Sequence, residues 1–552
     1  MVPVQTSASK AMKSAQAIYD GLQTERNYWL DRARRSASLT IPYLIPRSNT
    51  PTTENYDSYV LPWNGIGQRG VNNLSAKLLM AILPPTEAFF RFTLDPVEME
   101  KQEAQMLQQG MAPEEIAAAQ SEMELALNKL ELSILRSIET SNDRVVVHEA
   151  LLHLIVSGNA LVYVGDDGLV CYPLNRYVIL RDPVGEPLTA VVCETMAVEQ
   201  LPAGIRRELE KDDDEFYGMD KSSDPMNTGQ PEKTVDLYTC IEWKNDSVTW
   251  WQEINKKEIE GTRGNSRRST SPWLPLRMTS YQASSYGPGY IESACIADLQ
   301  TAEALSQAVS ECALVSAQVK HLVKPSGVTN AKGLAEAPNG AYLPGNPDDV
   351  FTVRTDKGSD INVAFTALQR IEQRLAASFM LAEMRDAERV TAEEVRIQTL
   401  QTENALGNVY AILTSEFQAP YIRRRLELYM RQGGMQRLPE GLVQPMVSVG
   451  LSGVGRGNDL EKTARFIQIL QQALGPEGMA TYINNTELIK RLSSSMGISP
   501  LGLVKSEQQI AAEMQQAQQA QLAQELAANP QGVANAAQTA QEMNTPTEET
   551  DG

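Results

Sequence analysis

A chain of 552 residues is too long for one hydrophobic core, so several domains are expected, and 42% hydrophobic residues is the share of an ordinary folded protein. A formal net charge of −20 excludes a tight, charge-driven grip on nucleic acid, which needs clustered lysine and arginine, yet permits an acidic wall past which DNA slides. Cys171, Cys193, Cys240, Cys295 and Cys312 show no C-x-x-C spacing and read as reduced, buried thiols; His148, His153 and His321 form no metal-ligand pair and read as structural.

Residues 1–13 contain no apolar run, so no signal peptide is read there. Ala11, Ala15, Ile18, Leu22 and Trp29 or Leu30 share one face of an opening helix, with Arg26, Arg32, Arg34 and Arg35 on or near the other. Thr40-Ile41-Pro42-Tyr43-Leu44-Ile45-Pro46 reads as extended, fixed by its prolines. A helix over 68–83 carries the stripe Val71, Leu74, Leu78 and Ile82 and is stopped by Pro84-Pro85; Phe89, Phe90 and Phe92 follow at strand spacing. Residues 96–156 read as helical with breaks at Gly110 and Pro113. Residues 150–164 fall short of the ~20 apolar residues of a membrane helix and read as a core helix running into a strand.

From Gly158 the pattern turns to strands. Hairpins are predicted over 161–172, around Asp166-Asp167-Gly168, and over 177–196, around a turn at 182–187. A helix over 203–211 leads to an acidic, solvated loop over 212–231 that includes Asp212-Asp213-Asp214-Glu215. Strands resume over 235–243 and 248–254, and this β-rich insert closes near 275–278.

The centre of the chain, 290–432, reads as helix, knot, helix, loop and long helix. Ile291, Cys295, Leu299, Ala302, Leu305, Val309, Cys312, Val315 and Val319 recur at helical spacing, and Lys324-Pro325-Ser326-Gly327 ends the first helix. The knot up to 360 is rich in glycine and proline, with short strands expected at 341–343 and 350–353. A second helix from about Asp360 carries Phe365, Leu368, Ile371, Leu375 and Phe379. After the polar Arg385-Asp386-Ala387-Glu388-Arg389, a capping box of Thr391 and Glu394 starts a third helix. It would run to Gln432, kinked at Pro420, and span roughly 60 Å. Beyond lie 443–450, a glycine-rich loop, helices to about 503, and a Gln- and Ala-rich tail with little to bury.

Gly450-Leu451-Ser452-Gly453-Val454-Gly455-Arg456-Gly457 invites a phosphate-loop reading but fails it, since no G-K-[ST] follows and Asn458 stands where a dinucleotide fingerprint needs glycine. Arg423-Arg424-Arg425 cannot form one basic face, because adjacent helical residues point about 100° apart; Glu416 and Glu427 are their candidate partners. No nucleophile–base pair, metal cluster or catalytic carboxylate pair stands out. The chain is therefore read as no enzyme and with no cofactor or metal. A nucleotide-driven motor subunit and an internal scaffolding protein without a channel are the rival classes.

The segments Thr40-Ile41-Pro42, Gly67-Gln68-Arg69-Gly70-Val71-Asn72-Asn73-Leu74, Ser285-Tyr286-Gly287, Glu388-Arg389-Val390-Thr391-Ala392-Glu393-Glu394 and Gly455-Arg456-Gly457 with Asp459-Leu460, in this order and spacing, resemble the portal, or head–tail connector, proteins of short-tailed bacteriophages. The resemblance covers about 15–503 and implies a mainly helical α+β fold and a dodecameric ring around a channel for double-stranded DNA at one capsid vertex. It implies a wing (1–289, with the β-rich insert at about 158–280), a first stem helix (290–323), a clip (324–359) and a second stem helix (360–382). A channel loop (383–390), a long wing helix (391–433), a crown (434–505) and a tail (506–552) follow. Partners implied are the terminase large subunit, tail adaptor proteins, and capsid and scaffolding proteins; the site is the virion, after assembly in the host cytoplasm, with no membrane. Within that frame Arg385 and Arg389 are the candidate DNA-facing valve, with pairing to Asp386, Glu388 or Glu394 as the alternative. Leu299, Leu305, Val309, Leu368, Ile371 and Leu375 are the candidate stem interface, and Lys332, Tyr342 and Arg354 the candidate clip contacts. Twelve copies carry a charge on the order of −240, which resists sticking of DNA and demands strong subunit interfaces.

Overall fold

The computed structural model describes residues 14–46, 59–84, 89–94, 100–101, 104, 107–108, 113–201, 204–206, 234–281, 284–317, 320–353, 358–381, 409–432, 443–447 and 465–472. The chain divides into two units, Met1–Val454 and Gly455–Gly552; in the second, residues 465–472 are helical. The described residues form an α+β fold with helix predominating.

Helix α1 (Ala15–Ser38) begins where the Ser14 hydroxyl accepts from the Ala17 amide at 3.3 Å. A second acceptor comes from far along the chain: the buried Glu253 carboxylate takes the Ala15 amide at 2.6 Å and the Trp251 indole N–H at 2.7 Å. Arg26, read on or near the face opposite the apolar one, is not at the surface. It is buried and donates to the carbonyls of Leu174 and Asn175, while its side chain also lies over the Tyr19 ring. The cause lies far along the chain: the carbonyls of the 174–176 turn come within reach of a long guanidinium, which donates to both. Thr40–Pro46 is not wholly extended either. Pro42–Leu44 makes one tight helical turn, closed by the Leu44 amide on the Ile41 carbonyl at 3.1 Å, with Ile41 and Ile45 outside helical geometry.

Helix α2 (Ile66–Ile82) buries Val71, Leu74, Leu78 and Ile82 as the stripe predicts. Strand β1 (Phe90–Leu94) follows. The helical stretch read over 96–156, with breaks at Gly110 and Pro113, has a further break: α3 (Pro113–Thr140) and α4 (Asp143–Ser157) are parted at Ser141-Asn142. Pro113 opens α3, where its missing N–H costs nothing. Asp143 sits in the first turn of α4, where a carboxylate suits the helix dipole, and α4 ends on Gly158 at φ 80°. A side chain at Gly158 would place its Cβ 2.3 Å from the Gly287 carbonyl oxygen, so both conformation and space require glycine.

The hairpins fall where the turn residues placed them. Strands β2 (Asn159–Val164) and β3 (Leu169–Pro173) pair with Val164 opposite Leu169, and β4 (Tyr177–Arg181) pairs with β5 (Pro187–Ala197). Strands β6 (Thr234–Lys244) and β7 (Ser247–Ile254) turn through Asn245 at φ 50°. Short strands β8 (Lys257–Glu258) and β9 (Gly264–Arg267) both pair with β7, giving a six-stranded antiparallel sheet, and β10 (Trp273–Arg277) joins β2 and β3 in a second sheet. The expected helix over 203–211 is described only at 204–206, and the acidic loop and the tail lie outside the described residues.

The last part of the unit is a helical segment over 409–432. It contains a wide turn, Thr414–Gln418, directly before α8 (Ala419–Arg431). Pro420 lies just past this turn, which frees the carbonyl four residues back from the proline ring; a π-turn replaces the plain kink expected there. Residues 391–408, the first part of the expected long helix, lie outside the described residues. The arginines of α8 face three ways, and Glu416 does not serve them. Glu416 pairs instead with Arg277, accepting its backbone amide and its guanidinium, each at 2.8 Å. Arg424 pairs with Glu427 at 3.1 Å, and Arg425 pairs with Asp143, which also takes the Tyr421 hydroxyl proton. Asp143 has no exposed surface, so α4 and α8 are joined through a charge pair shut away from water. Strand β13 (Val443–Val447) then runs antiparallel to β1, Val443 opposite Leu94.

One main core joins α1 through α4, strands β1–β7 and β10, residues 291–302 and 368–379, and the 409–432 segment; a second fills the space between the start of α1 and the six-stranded sheet, around Tyr19, Val191, Tyr238 and Trp251. The five cysteines are free thiols. Burial pushes Cys193 to about 11, Cys240 to about 12 and Cys295 to about 11, which keeps them protonated.

Two outcomes are expected from this packing. Arg425→Met strands the Asp143 charge in the core and should destabilise the protein by ~3–5 kcal/mol in urea unfolding, whereas exposed Arg431→Met should be near neutral. His153 is buried within α4, and desolvation, helped by Arg176, pulls its pKa down to about 4. The unfolded chain therefore binds the extra proton first, so stability is full above about 6.5 and falls as pH drops towards 4, by about 3 kcal/mol in all. His153→Met should flatten that part of the urea-midpoint against pH curve.

Candidate functional site

The feature that no enclosed pocket explains is a two-helix arm with a turn-rich tip. Helix α5 (Ile296–Ala317) is preceded by a wide turn, Ile291–Cys295, and α7 (Gly358–Ser378) returns beside it. Between them lie β11 (Lys320–Val323), α6 (Ala331–Glu336) and β12 (Val350–Val353), with β11 antiparallel to β12 and Val323 opposite Val350. The first stem helix expected over 290–323 thus ends at Ala317, because the β-prone 320–323 segment finds a strand partner in 350–353. Ala341–Leu343 forms no strand; it is an exposed stretch without a ladder partner. Helix α6 was not anticipated, although Asn330 caps it through the amides of Lys332 and Gly333.

The base of the arm is packed. Ile291, Cys295, Leu299 and Ala302 of the first rod and Leu368, Ile371, Leu375 and Phe379 of the second are all buried. Four of the six candidate stem-interface residues, Leu299, Leu368, Ile371 and Leu375, are therefore spent inside one subunit, and Leu305 is half-buried against the same core. Val309 is half-buried further out, and past it the stripe stops being covered: Leu314 is 63% exposed, Val315 54% and Val363 71%.

A strap and a seat hold this base. The backbone amides of Trp63 and Asn64 donate to the Glu303 carboxylate at 2.8 and 3.1 Å, and the Asn64 amide group donates to Ser306 and Glu372, so one loop ties both rods. Across from it, α2 receives the end of α7. The Phe379 ring presses against Gly70, where any Cβ would come within 2.3 Å of it. Asn73 donates to the carbonyls of Phe379 and Met380, both at 3.0 Å, and the Lys77 ammonium donates to Met380 at 2.5 Å. Met380 adopts φ 53°, and the Leu381 amide reaches back to Ala376 at 2.8 Å, the geometry of a left-handed helix stop without its usual glycine. Burial lowers the Lys77 pKa, while its charge meets the negative end of the α7 dipole. The Tyr290 hydroxyl adds a bond to the Ser378 carbonyl at 2.7 Å.

The tip has a polar centre. Asp349 is its one buried residue among those described, and its carboxylate accepts from the Val328 and Thr329 amides and the Thr329 hydroxyl. Gly327 packs so close that a Cβ there would meet this carboxylate at 2.6 Å. Apolar side chains lie outside: Leu322, Val328, Leu334, Leu343, Phe351 and a fully exposed Tyr342. Lys332 is also exposed. Arg354, Arg385 and Arg389 lie outside the described residues.

Sequence reading found the rods but missed Asn64, Asn73, Lys77, Glu303 and Asp349. The seat did leave a signal: Gly70, Asn73 and Lys77 stand three and then four residues apart, on one helical face, yet only the apolar face of α2 was read. Among the described residues no group of histidine, cysteine, aspartate and glutamate could hold a metal ion, and no helix is long and apolar enough to cross a membrane.

Comparison with known proteins places this chain in a family. Residues 12–503 match the family described as bacteriophage head to tail connecting protein. The chain is 32% identical to the portal protein of Escherichia phage T7 over 535 residues, covering 95% of this chain and 94% of that one. It is 32% identical to the portal protein of Enterobacteria phage T3 over 511 residues (91% and 90%), and 26% identical to that of Enterobacteria phage SP6 over 527 residues (94% and 94%). A family match over most of the length and near-complete coverage of relatives lead to one statement: this chain belongs to the bacteriophage head-to-tail connecting proteins.

Proposed function

We propose that copies of this chain form the portal of a phage capsid, a ring of twelve at one vertex through which double-stranded DNA enters during packaging and leaves on ejection. The observation that carries this reading is the arm: a base packed into the subunit and a tip whose apolar side chains have no cover within it. A lone folded protein does not leave such a surface without a partner for it. In a ring the distal rods and tips of neighbours lie side by side and supply that cover.

The wing is residues 1–289 together with 391–433, the stem is the paired rods, the clip is 324–359, and the crown is 434–505. The stem faces between subunits then fall to the distal residues Val309, Leu314, Val315 and Val363 rather than to the buried base. Lys332, Tyr342 and Arg354 present the clip to the terminase large subunit first and to tail adaptor proteins later. The wing meets capsid and scaffolding proteins, assembly takes place in the host cytoplasm, and the product resides in the virion. The protein acts as a conduit and performs no catalysis of its own.

Residues 383–390 face the channel. A ring of Arg385 and Arg389 brakes a polyanion by direct charge attraction, while the acidic remainder of the chain prevents adhesion.

Negative-stain microscopy of the purified protein should show closed rings with a central hole, and a persistent monomer or a solid particle would overturn the reading. Phage particles carrying Arg389→Ala should lose packaged DNA faster than the parent; normal retention removes the valve role.

A further inference from the structure

We propose that Gly70, Asn73 and Lys77 are positioning residues for DNA passage: they form a seat on α2 that fixes the point and direction at which the chain leaves the second stem rod. The inference rests on the reading of 383–390 as the channel-facing segment. Its own grounds are geometric. Three side-chain positions on one helical face converge on two consecutive residues, Phe379 and Met380. Gly70 admits the ring, Asn73 takes both carbonyls, and Lys77 takes the second of them.

Two further observations show that the arrangement does more than end a helix. Glycine is the usual residue at the left-handed position, and it ends a helix without outside help. Here the position is Met380, which bears the cost of φ 53° and relies on Asn73 and Lys77 to hold its carbonyl. The seat also lies on α2, whose neighbouring stripe is buried in the main core, so the last turn of the rod is referenced to that core. Arg385 follows Leu381 by only four residues, and a few ångströms of drift at the root would be carried directly to it.

The mechanism is positional. A charge that is to meet a passing phosphate must be held at a set radius in every subunit, since a ring with scattered radii offers the duplex no common contact. Lys77 and Asn73 supply that common reference without themselves touching DNA.

The test uses assembled rings and complete particles made with Lys77→Met, Asn73→Asp and Lys77→Arg. Lys77→Met keeps the aliphatic stem, so ring formation and the thermal midpoint should stay close to the parent, while Asn73→Asp keeps the shape but sets carboxylate oxygens against two carbonyls and should loosen the turn further. Loss of a charged or bidentate bond should speed amide exchange at 379–381 by about tenfold or more. DNA retention by the particles should fall severalfold for the first two variants and return towards normal with Lys77→Arg, a rescue that loss of packing alone does not give. Unchanged exchange overturns the proposal, as does faster exchange with unaltered DNA retention. If Arg389→Ala particles hold DNA normally while Lys77→Met particles leak, the seat stands and the charge it positions is Arg385 rather than Arg389.

Discussion

Apolar burial that runs out halfway along a pair of helices sets the terms for the rest of this molecule. Near the wing, Leu299, Leu368, Leu375 and Phe379 are as well covered as any core residue; towards the tip, Leu314, Val363 and Phe351 stand in solvent. The hydrophobic effect grows with the area removed from water, so such a gradient leaves the outer half poorly held by its own subunit. The tip meets the shortage with polar contacts, through Asp349 gathering two amides and a hydroxyl. A carboxylate at the centre of a small module fixes its shape while leaving its apolar residues free to meet others.

The body around the main core uses the opposite strategy. Its elements are tied by charged and polar groups removed from water: Asp143 with Arg425 and Tyr421, Glu416 with Arg277, Glu253 with Ala15 and Trp251. Buried pairs of this kind add little net stability over apolar packing, because desolvation cancels most of the attraction. They do penalise every misplacement, since a shifted partner leaves a bare charge. Arg181 illustrates the balance. Burial pulls its pKa down to about 10 against the opposing field of Glu416, and its guanidinium is held by the carbonyls of Gly185 and Pro275. A body specified in this way offers the arm a fixed platform.

Much of this was legible from periodicity. The stripe Val71, Leu74, Leu78 and Ile82, the hairpins turning at Gly168 and Asn245, and the rods carrying Leu299 and Leu375 follow from local spacing that one stretch of chain contains by itself. The failures share a cause as well. Arg26 was placed on or near the polar face, Glu416 with Arg423–Arg425, and 320–323 in a helix, and each was decided by a partner distant in sequence: Asn175, Arg277 and 350–353. The same holds at the arm. Asn73 and Lys77 look like ordinary surface residues until a carbonyl more than three hundred positions away is brought to them. Arg385, Arg389 and Arg354 were read from resemblance, and local pattern says nothing of what they meet.

The pairing of β1 with β13 has a consequence for the order of events during synthesis. Phe90 cannot find Val447 until the ribosome has produced nearly the whole of the larger unit, and until then an aromatic strand edge stays open. Asp143 likewise waits for Arg425, and Ala15 for Glu253. Contacts of such sequence separation form slowly. A nascent chain therefore cannot complete these contacts before nearly all of the larger unit has been made. In the proposed ring, that delay would keep half-made copies out, where one faulty member would spoil the symmetry of all.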